Sequence, residues 1–316
     1  MRTSIILLFI AAMKLSSLHN ALARGFFAMQ PERASAYMPV VLRVLDGGAA
    51  PAMSEPGNNY EENTAEAVNP ISGQRFSCMK FDARFGWRYE GFRDAPKGSV
   101  AVIGIKDAIM KYDYCGAWGT ESLAKVIFDA EASDNIVGIL LDMDTPGGEV
   151  YGTKNLHDVV KNCSKPVVAH INDGYCASAG MYIACAADKI LMSQPTDQVG
   201  SIGVYTTLID PTGAYEAKGY KIKTIYSPTS PEKNAAWKEA MESDKPARME
   251  KELAFLDKTF MNCVREGRPN VKEKALEGGM FYTDEAIEMG LCDGYATQQE
   301  AIEMCVNLSG SSQIIG

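Results

Sequence analysis

Three short, nearly continuous apolar runs stand out along the chain: VAVIGI at 100–105, IVGILLDM at 136–143 and VVAHI at 167–171. Runs of this length without alternation are the pattern of strands covered on both faces. Between them the period changes. Leu123, Val126, Ile127 and Ala130 share one face of a helix that Thr120 can cap, and Leu156, Val159, Val160 and Cys163 share one face of another. Strand–helix–strand spacing predicts right-handed parallel crossovers and an α/β sheet. Downstream, KIKTIY at 221–226 reads as a further strand. A long helix starts near Pro246 with Asp244 as its cap; Met249, Leu253, Leu256, Phe260 and Val264 form its apolar stripe and Gly267 ends it. That stripe belongs to the core or to a subunit contact.

Upstream of the first run the pattern is different. Residues 30–47 read as a short amphipathic helix closed by Gly47-Gly48, and residues 49–74 are rich in Pro, Asn, Glu and Ala with almost no bulky apolar side chain. Such a stretch buries too little surface to offset its ordering entropy, which predicts a flexible linker. The first residues, MRTSIILLFIAAM, join a charged start to an apolar run, and Ala21-Leu22-Ala23 resembles a cleavage site. Lys14 ends that run well short of the ~20 residues a membrane span needs. The segment reads as a vestigial signal or anchor, or as sequence ahead of a true start at Met13. The expected organisation is an N-terminal segment (1–28), a helix plus flexible linker (29–75), a main body (76–308) and a tail (309–316).

Composition narrows the class. With 316 residues, 46% hydrophobic and 22% charged, the chain is an ordinary globular one. A net charge of −9 and the lack of a basic run argue against nucleic acid as a partner. The eight cysteines show no CxxC spacing, so no metal site is expected, and no cofactor motif is present. Their scatter through apolar segments suits buried thiols in a reducing compartment.

Two strand–helix junctions carry candidate chemistry, since active groups in open α/β sheets gather where strands end and helices begin. In LLDMDTPGGEV, Gly147 and Gly148 expose backbone N–H groups at a helix entrance, a geometry that holds an oxyanion and that also suits an ordinary turn. In DGYCASAGMYIACAADKI, Ser178 lies among Ala177, Ala179 and Gly180 at the next helix start. Alone it suits an N-cap; beside the glycine loop it also suits a nucleophile. A nucleophilic serine needs a base. His19 lies outside the main body, His157 reads as a surface residue, and His170 sits in a strand ahead of the serine. A lysine is the natural substitute, provided that a dry, apolar site lowers its pKa from ~10.4.

These blocks, together with GGMFYTDEAIEMGLCDGYAT further on, resemble the signature blocks of the S49 peptidases, the signal peptide peptidase A group and its phage capsid-processing relatives. The likeness runs in order from roughly residue 100 to 300. It implies a Clp/crotonase-like α/β fold of repeated ββα/βα units and a Ser-Lys dyad that cleaves peptide bonds. The family nucleophile falls on Ser178, the oxyanion loop on Gly147 and Gly148, and a second donor on the Ala179 amide. The family lysine falls in TIYSPTSPEKNAAW, on Lys233, with Lys223 and Lys238 as alternatives. Two prolines, Pro228 and Pro231, and a short insertion set this turn apart from the family pattern. The resemblance further implies a protein or peptide substrate and a homo-oligomeric ring, with the lysine serving the serine of its own subunit or of a neighbour. RGFFAMQPERASAYMPVVLRVLDGG resembles the leader of phage-type members. The expected role is therefore a phage or prophage head-maturation protease, cytoplasmic or virion-associated. A membrane-associated peptidase held by the N-terminal segment, a catalytically silent scaffold, and a crotonase-type acyl-CoA enzyme are the competing readings.

Overall fold

A computed structural model describes residues 26–29, 64–82, 86–113, 117–208, 210 and 212–310. Its centre is a stack of parallel strands. β6 (Ser99–Lys106), β7 (Ile136–Thr145) and β9 (Val167–Ala177) run parallel in adjacent positions, and each contains one of the three apolar runs. β9 is long enough to serve two neighbours on its far side. Its first half pairs with β10 (Lys189–Met192), which also carries β14 (Gly294–Tyr295), and its second half pairs with β11 (Gln198–Gly200). β13 (Met280–Tyr282) adds an antiparallel edge beyond β11.

The opposite edge is closed by β2 (Ala65–Val68) and β3 (Arg75–Ser77), both antiparallel. Ala65, Ala67 and Val68 are buried there, so the linker expected over residues 49–74 ends before Ala65 and the body starts ahead of residue 76. The reason is local: AEAV is too short to be visible as a periodic run, yet it pairs along Val100–Ile103, which offers a ready hydrogen-bonding edge. β4 (Met79–Asp82) and β5 (Gly86–Tyr89) form a separate hairpin. The expected helix at 30–47 and the first 25 residues lie outside the described residues.

Helices cover both sheet faces, which makes the three layers of an α/β protein. On one side lie α1 (Thr120–Ala132), α2 (Thr153–Lys161) and α3 (Ala179–Ala184). Leu123, Val126, Ile127 and Ala130 of α1, and Leu156 and Val160 of α2, are buried as their spacing predicts. On the other side α8 (Gln298–Leu308) seats Ala301, Ile302, Cys305 and Val306 against Val100, Val102, Leu140 and Val168. A capping box of Thr297 and Glu300 fixes where α8 begins. The sheet and the helical layers on its two faces make the α/β architecture expected of a Clp/crotonase-like fold.

Two expectations fail downstream. KIKTIY forms no strand; Ile222 and Ile225 are exposed, and the segment pairs with no strand among the described residues. The segment belongs to an exposed arm that includes α4 (Thr212–Ala217) and α5 (Ala235–Glu242). The long helix α6 (Ala247–Gly267) is present, with Pro246 rather than Asp244 at its N-cap, but only Phe260, Cys263 and Val264 of it are buried. Phe260 stacks on Tyr182 of α3 at 4.4 Å between ring centroids, which anchors the C-terminal half of α6 to the body. A short helix, α7 (Thr283–Glu288), completes the set.

Candidate active site

The parallel pairing of β7 with β9 sets Thr145 opposite Cys176, so the two strand ends that carry the candidate blocks are neighbours. Beyond Thr145 the chain turns through Pro146 into β8 (Gly147–Glu149). Thr145 Oγ1 donates to the Asp107 carbonyl at 2.6 Å and accepts the Gly147 N–H at 3.2 Å, which pins the turn. Gly147 has φ of 95°, a conformation glycine adopts without cost. Gly148 passes so close to Ile109 that a Cβ there would lie 1.8 Å from the Ile109 carbonyl oxygen. One edge of β8 is thereby consumed: Ile109 N–H donates to Gly147 O, and Glu149 N–H donates to Ile109 O. Alternation along a strand turns the N–H and C=O of Gly148 to the opposite edge.

Ser178 sits at the end of β9, one residue before α3, and it is only 1% exposed. Its backbone has φ 52° and ψ −111°, a region that non-glycine residues enter at a cost of about 1–3 kcal/mol. The turn is held on both sides. Ser178 N–H donates to Gly200 O at 2.8 Å, and Tyr182 N–H donates to Ser178 O at 2.9 Å. The hydroxyl does not cap the helix. It donates instead to the carbonyl of Gly203 at 3.3 Å. A serine chosen only as an N-cap would accept from the first-turn amides with unstrained dihedrals; this one does neither.

The small neighbours have a reason as well. A Cβ on Gly180 would lie 2.6 Å from Thr145 Cγ2 and 3.0 Å from Cys176 Sγ, so only glycine lets α3 settle onto the strand ends. α3 packs directly against β8, which brings the Ser178 turn beside Gly147 and Gly148. Ala179 opens α3, and its N–H has no acceptor within the helix. Ser178, the two glycines and Ala179 thus lie where α3 meets β8.

The lysines do not join them in the isolated chain. Lys233 is exposed, on a turn in which its N–H donates to Ser230 O. Asn234, with φ 58°, follows it and opens α5. Lys223 is exposed too, and Lys238 lies over the Tyr226 ring at 4.6 Å. None of the three occupies the dry site that a lysine base needs.

The histidines are no better placed. His157 is buried, contrary to the surface position its helix suggested; its ring packs edge-on against Tyr182, and Nδ1 lies 2.9 Å from Asp158 Oδ1. His170 is fully buried on β9 with Nε2 donating to Ala296 O at 2.9 Å. Burial lowers the pKa of both imidazoles below the ordinary 6.5.

Two participants escaped the sequence reading. One is the Gly200–Gly203 loop, whose carbonyls hold both ends of Ser178; its only signal was the glycine spacing in VGSIGVY. The other is Asp257 of α6, which accepts the Val204 N–H and whose carboxyl burial pushes up in pKa. It positions the loop rather than the reacting atoms. Among the described residues no group of three or more His, Cys, Asp or Glu is gathered as for a metal. The seven described cysteines are unpaired thiols, six of them buried, while Cys115 lies outside the described residues.

The sequence profile of peptidase family S49 matches residues 160–311, which take in the Ser178 turn, the exposed arm and α6 to α8. Residues 160–311, just under half of the chain, are thus similar to peptidase family S49. The profile of Clp protease matches residues 112–197, spanning β7 to β10 and both candidate junctions. Among individual relatives, capsid assembly protease C of Escherichia phage lambda is 36% identical over 135 residues, 40% of this chain and 30% of that protein. The head-tail preconnector protein GP5 of Enterobacteria phage P21 is 28% identical over 203 residues, 63% of this chain and 40% of that protein. Protease 4 of Salmonella typhi is 25% identical over 223 residues, 68% of this chain and 35% of that protein. The chain therefore spans well under half the length of these three relatives. No helix among the described residues is long and apolar enough to cross a membrane.

Proposed function

We propose that this chain is a serine endopeptidase with Ser178 as its nucleophile. The observation that carries the reading is the serine at a helix start whose hydroxyl leaves the helix uncapped and whose backbone is strained. A base withdraws the hydroxyl proton as Oγ attacks the peptide carbonyl carbon. The resulting oxyanion accepts hydrogen bonds from the Gly148 and Ala179 N–H groups; the Gly147 N–H is already engaged by Thr145. The protonated base then delivers its proton to the leaving amine, and water later releases the acyl group by the same route in reverse.

Lys233 is the assigned base, acting on the serine of an adjacent copy. Its exposure in the single chain fits that arrangement, because the arm that carries it also exposes Tyr220, Ile222 and Ile225. Burying such apolar groups between copies is favourable, and it would also dry and deprotonate the lysine. The similarity to two phage head proteins favours a head-maturation role, with phage structural polypeptides as substrates and a cytoplasmic or virion location. The deciding experiment is labelling by a fluorophosphonate probe, which reads nucleophilicity without a known substrate. Wild type should label at one serine and Ser178→Ala should not. The second reading, a silent scaffold, is favoured by the same exposed Lys233; it predicts no labelling of wild type in any assembly state.

A further inference from the structure

The uncommitted edge of β8 is not empty. β1 (Phe26–Met29) lies antiparallel along it, with Met29 opposite Gly147, Ala28 opposite Gly148 and Phe27 opposite Glu149. On its other side β1 pairs with β12 (Tyr205–Thr206), setting Phe27 opposite Tyr205 and Phe26 opposite Thr206. These three strands form a sheet of their own, apart from the central one, with β1 in the middle. Both walls of this slot border Ser178. β8 packs against α3, and β12 begins two residues after Gly203, which receives the Ser178 hydroxyl. A strand in the slot therefore runs past the nucleophile with its backbone held on both edges. That is where an extended polypeptide would be presented, by strand addition, for attack at Ser178.

We propose that Phe26–Met29 is a self-occupant of this slot, filling in cis the place of a substrate strand, so that the site opens only when the segment leaves. The proposal rests on the peptidase reading of Ser178 and adds to it how access is controlled. Three observations support it. Ser178 is 1% exposed, so something has to move before a peptide reaches it. The pairing partner of Ala28 is Gly148, whose N–H is the proposed oxyanion donor, so the segment also occupies that amide's edge. A four-residue strand outside the main sheet opens at far lower cost than the body unfolds. A tethered occupant of this kind competes at an effective concentration in the millimolar range, so it holds back a free peptide without binding tightly.

The test compares full-length chains in a Ser178→Ala background, so that binding is read without cleavage. Ala28→Pro removes the N–H opposite Gly148 and disfavours a central strand. A second variant, Phe26→Gly/Phe27→Ser/Ala28→Gly/Met29→Ser, keeps length and removes strand preference. The probe is a fluorescein-labelled peptide of residues 24–30, followed by anisotropy, with hydrogen exchange of the backbone at 147–149 and 205–206 as the second readout. Both variants are expected to bind the peptide about tenfold or more tightly than the parent and to exchange faster at both walls. Equal affinity across all three chains, no binding by any, or unchanged exchange would show β1 to be a fixed strand and overturn the proposal. Fluorophosphonate labelling of the same variants with Ser178 restored separates the two claims: absence of labelling counts against the nucleophile, whereas the binding comparison decides the occupant.

Discussion

The hydroxyl of Ser178 donates to the carbonyl of Gly203 at 3.3 Å, and the same loop accepts the Ser178 N–H through Gly200. The hydroxyl and N–H of Ser178 are thus both held by the 200–203 segment, while its carbonyl accepts the Tyr182 N–H of its own helix. For Ser178 to act as the proposed nucleophile, Oγ has to exchange this long bond for one to the base once the site has opened.

That clamp separates catalysis from stability at position 178. Ser178→Ala is expected to abolish labelling and proteolysis while its melting point stays near that of wild type, since the lost bond is long. Ser178→Gly should be equally inactive and at least as stable as the alanine variant, because glycine relieves the cost of φ 52°. Thermal denaturation of the two variants side by side checks this; an alanine variant more stable than the glycine one would contradict the strain argument.

At Gly148 activity and stability cannot be separated. On the sequence alone, a side chain here should lower turnover far more than stability. With the Cβ position 1.8 Å from the Ile109 carbonyl oxygen, the backbone itself has to shift. Gly148→Ala is expected to cost about 1–3 kcal/mol of stability as well as roughly 10²–10³ in turnover through the misplaced amide. Denaturant titration and initial rates on the same preparation measure both.

Lys233 is predicted to work across a subunit boundary. Lys233→Ala and Lys233→Arg should both be inactive, since arginine does not give up its proton at any working pH. Mixing Ser178→Ala with Lys233→Ala protomers should restore part of the activity, and activity should vanish on dilution to the single chain. A fully active Lys233→Arg would transfer the role to Lys223 or Lys238.

The buried imidazoles make stability pH-dependent in a defined direction. Burial is the main cause that lowers both folded-state pKa values below 6.5, with Asp158 opposing it at His157 and the Ala296 carbonyl opposing it at His170. The unfolded chain therefore binds more protons as pH falls through about 6.5. Stability is full above that value and is lost on acidification until the folded-state values are reached. His170→Gln, which retains a donor for Ala296 O, should lose less melting temperature between pH 7.5 and 5.5 than wild type. A steeper loss in the variant would refute the assignment.

The central strands and the two junctions were legible from the chain because their signals are local. VAVIGI, IVGILLDM and VVAHI need both faces covered wherever they sit, and a glycine pair after a strand or a serine at a helix start is a matter of a few adjacent residues. Gly147 and Gly148 nevertheless open the strand β8 rather than a helix. The same locality misled at KIKTIY, where a strand-like composition met no partner edge, and at 65–68, where an unremarkable tetrapeptide met one. His157 was misjudged because helical spacing says nothing of α3 and Tyr182 packing over that face.

What residue order determined, then, was the set of elements that bury apolar surface and the blocks able to carry a nucleophile and an oxyanion. Assembly decided the rest. Only the pairing of β7 with β9 brings the glycine turn beside Ser178, and only the return of the chain at 200–203 supplies the carbonyl that holds its hydroxyl. The placement of Phe26–Met29 between β8 and β12 joins residues more than a hundred positions apart through strand pairing. Backbone pairing of that kind leaves no mark on side-chain pattern, so no reading of the chain in one dimension could have found it.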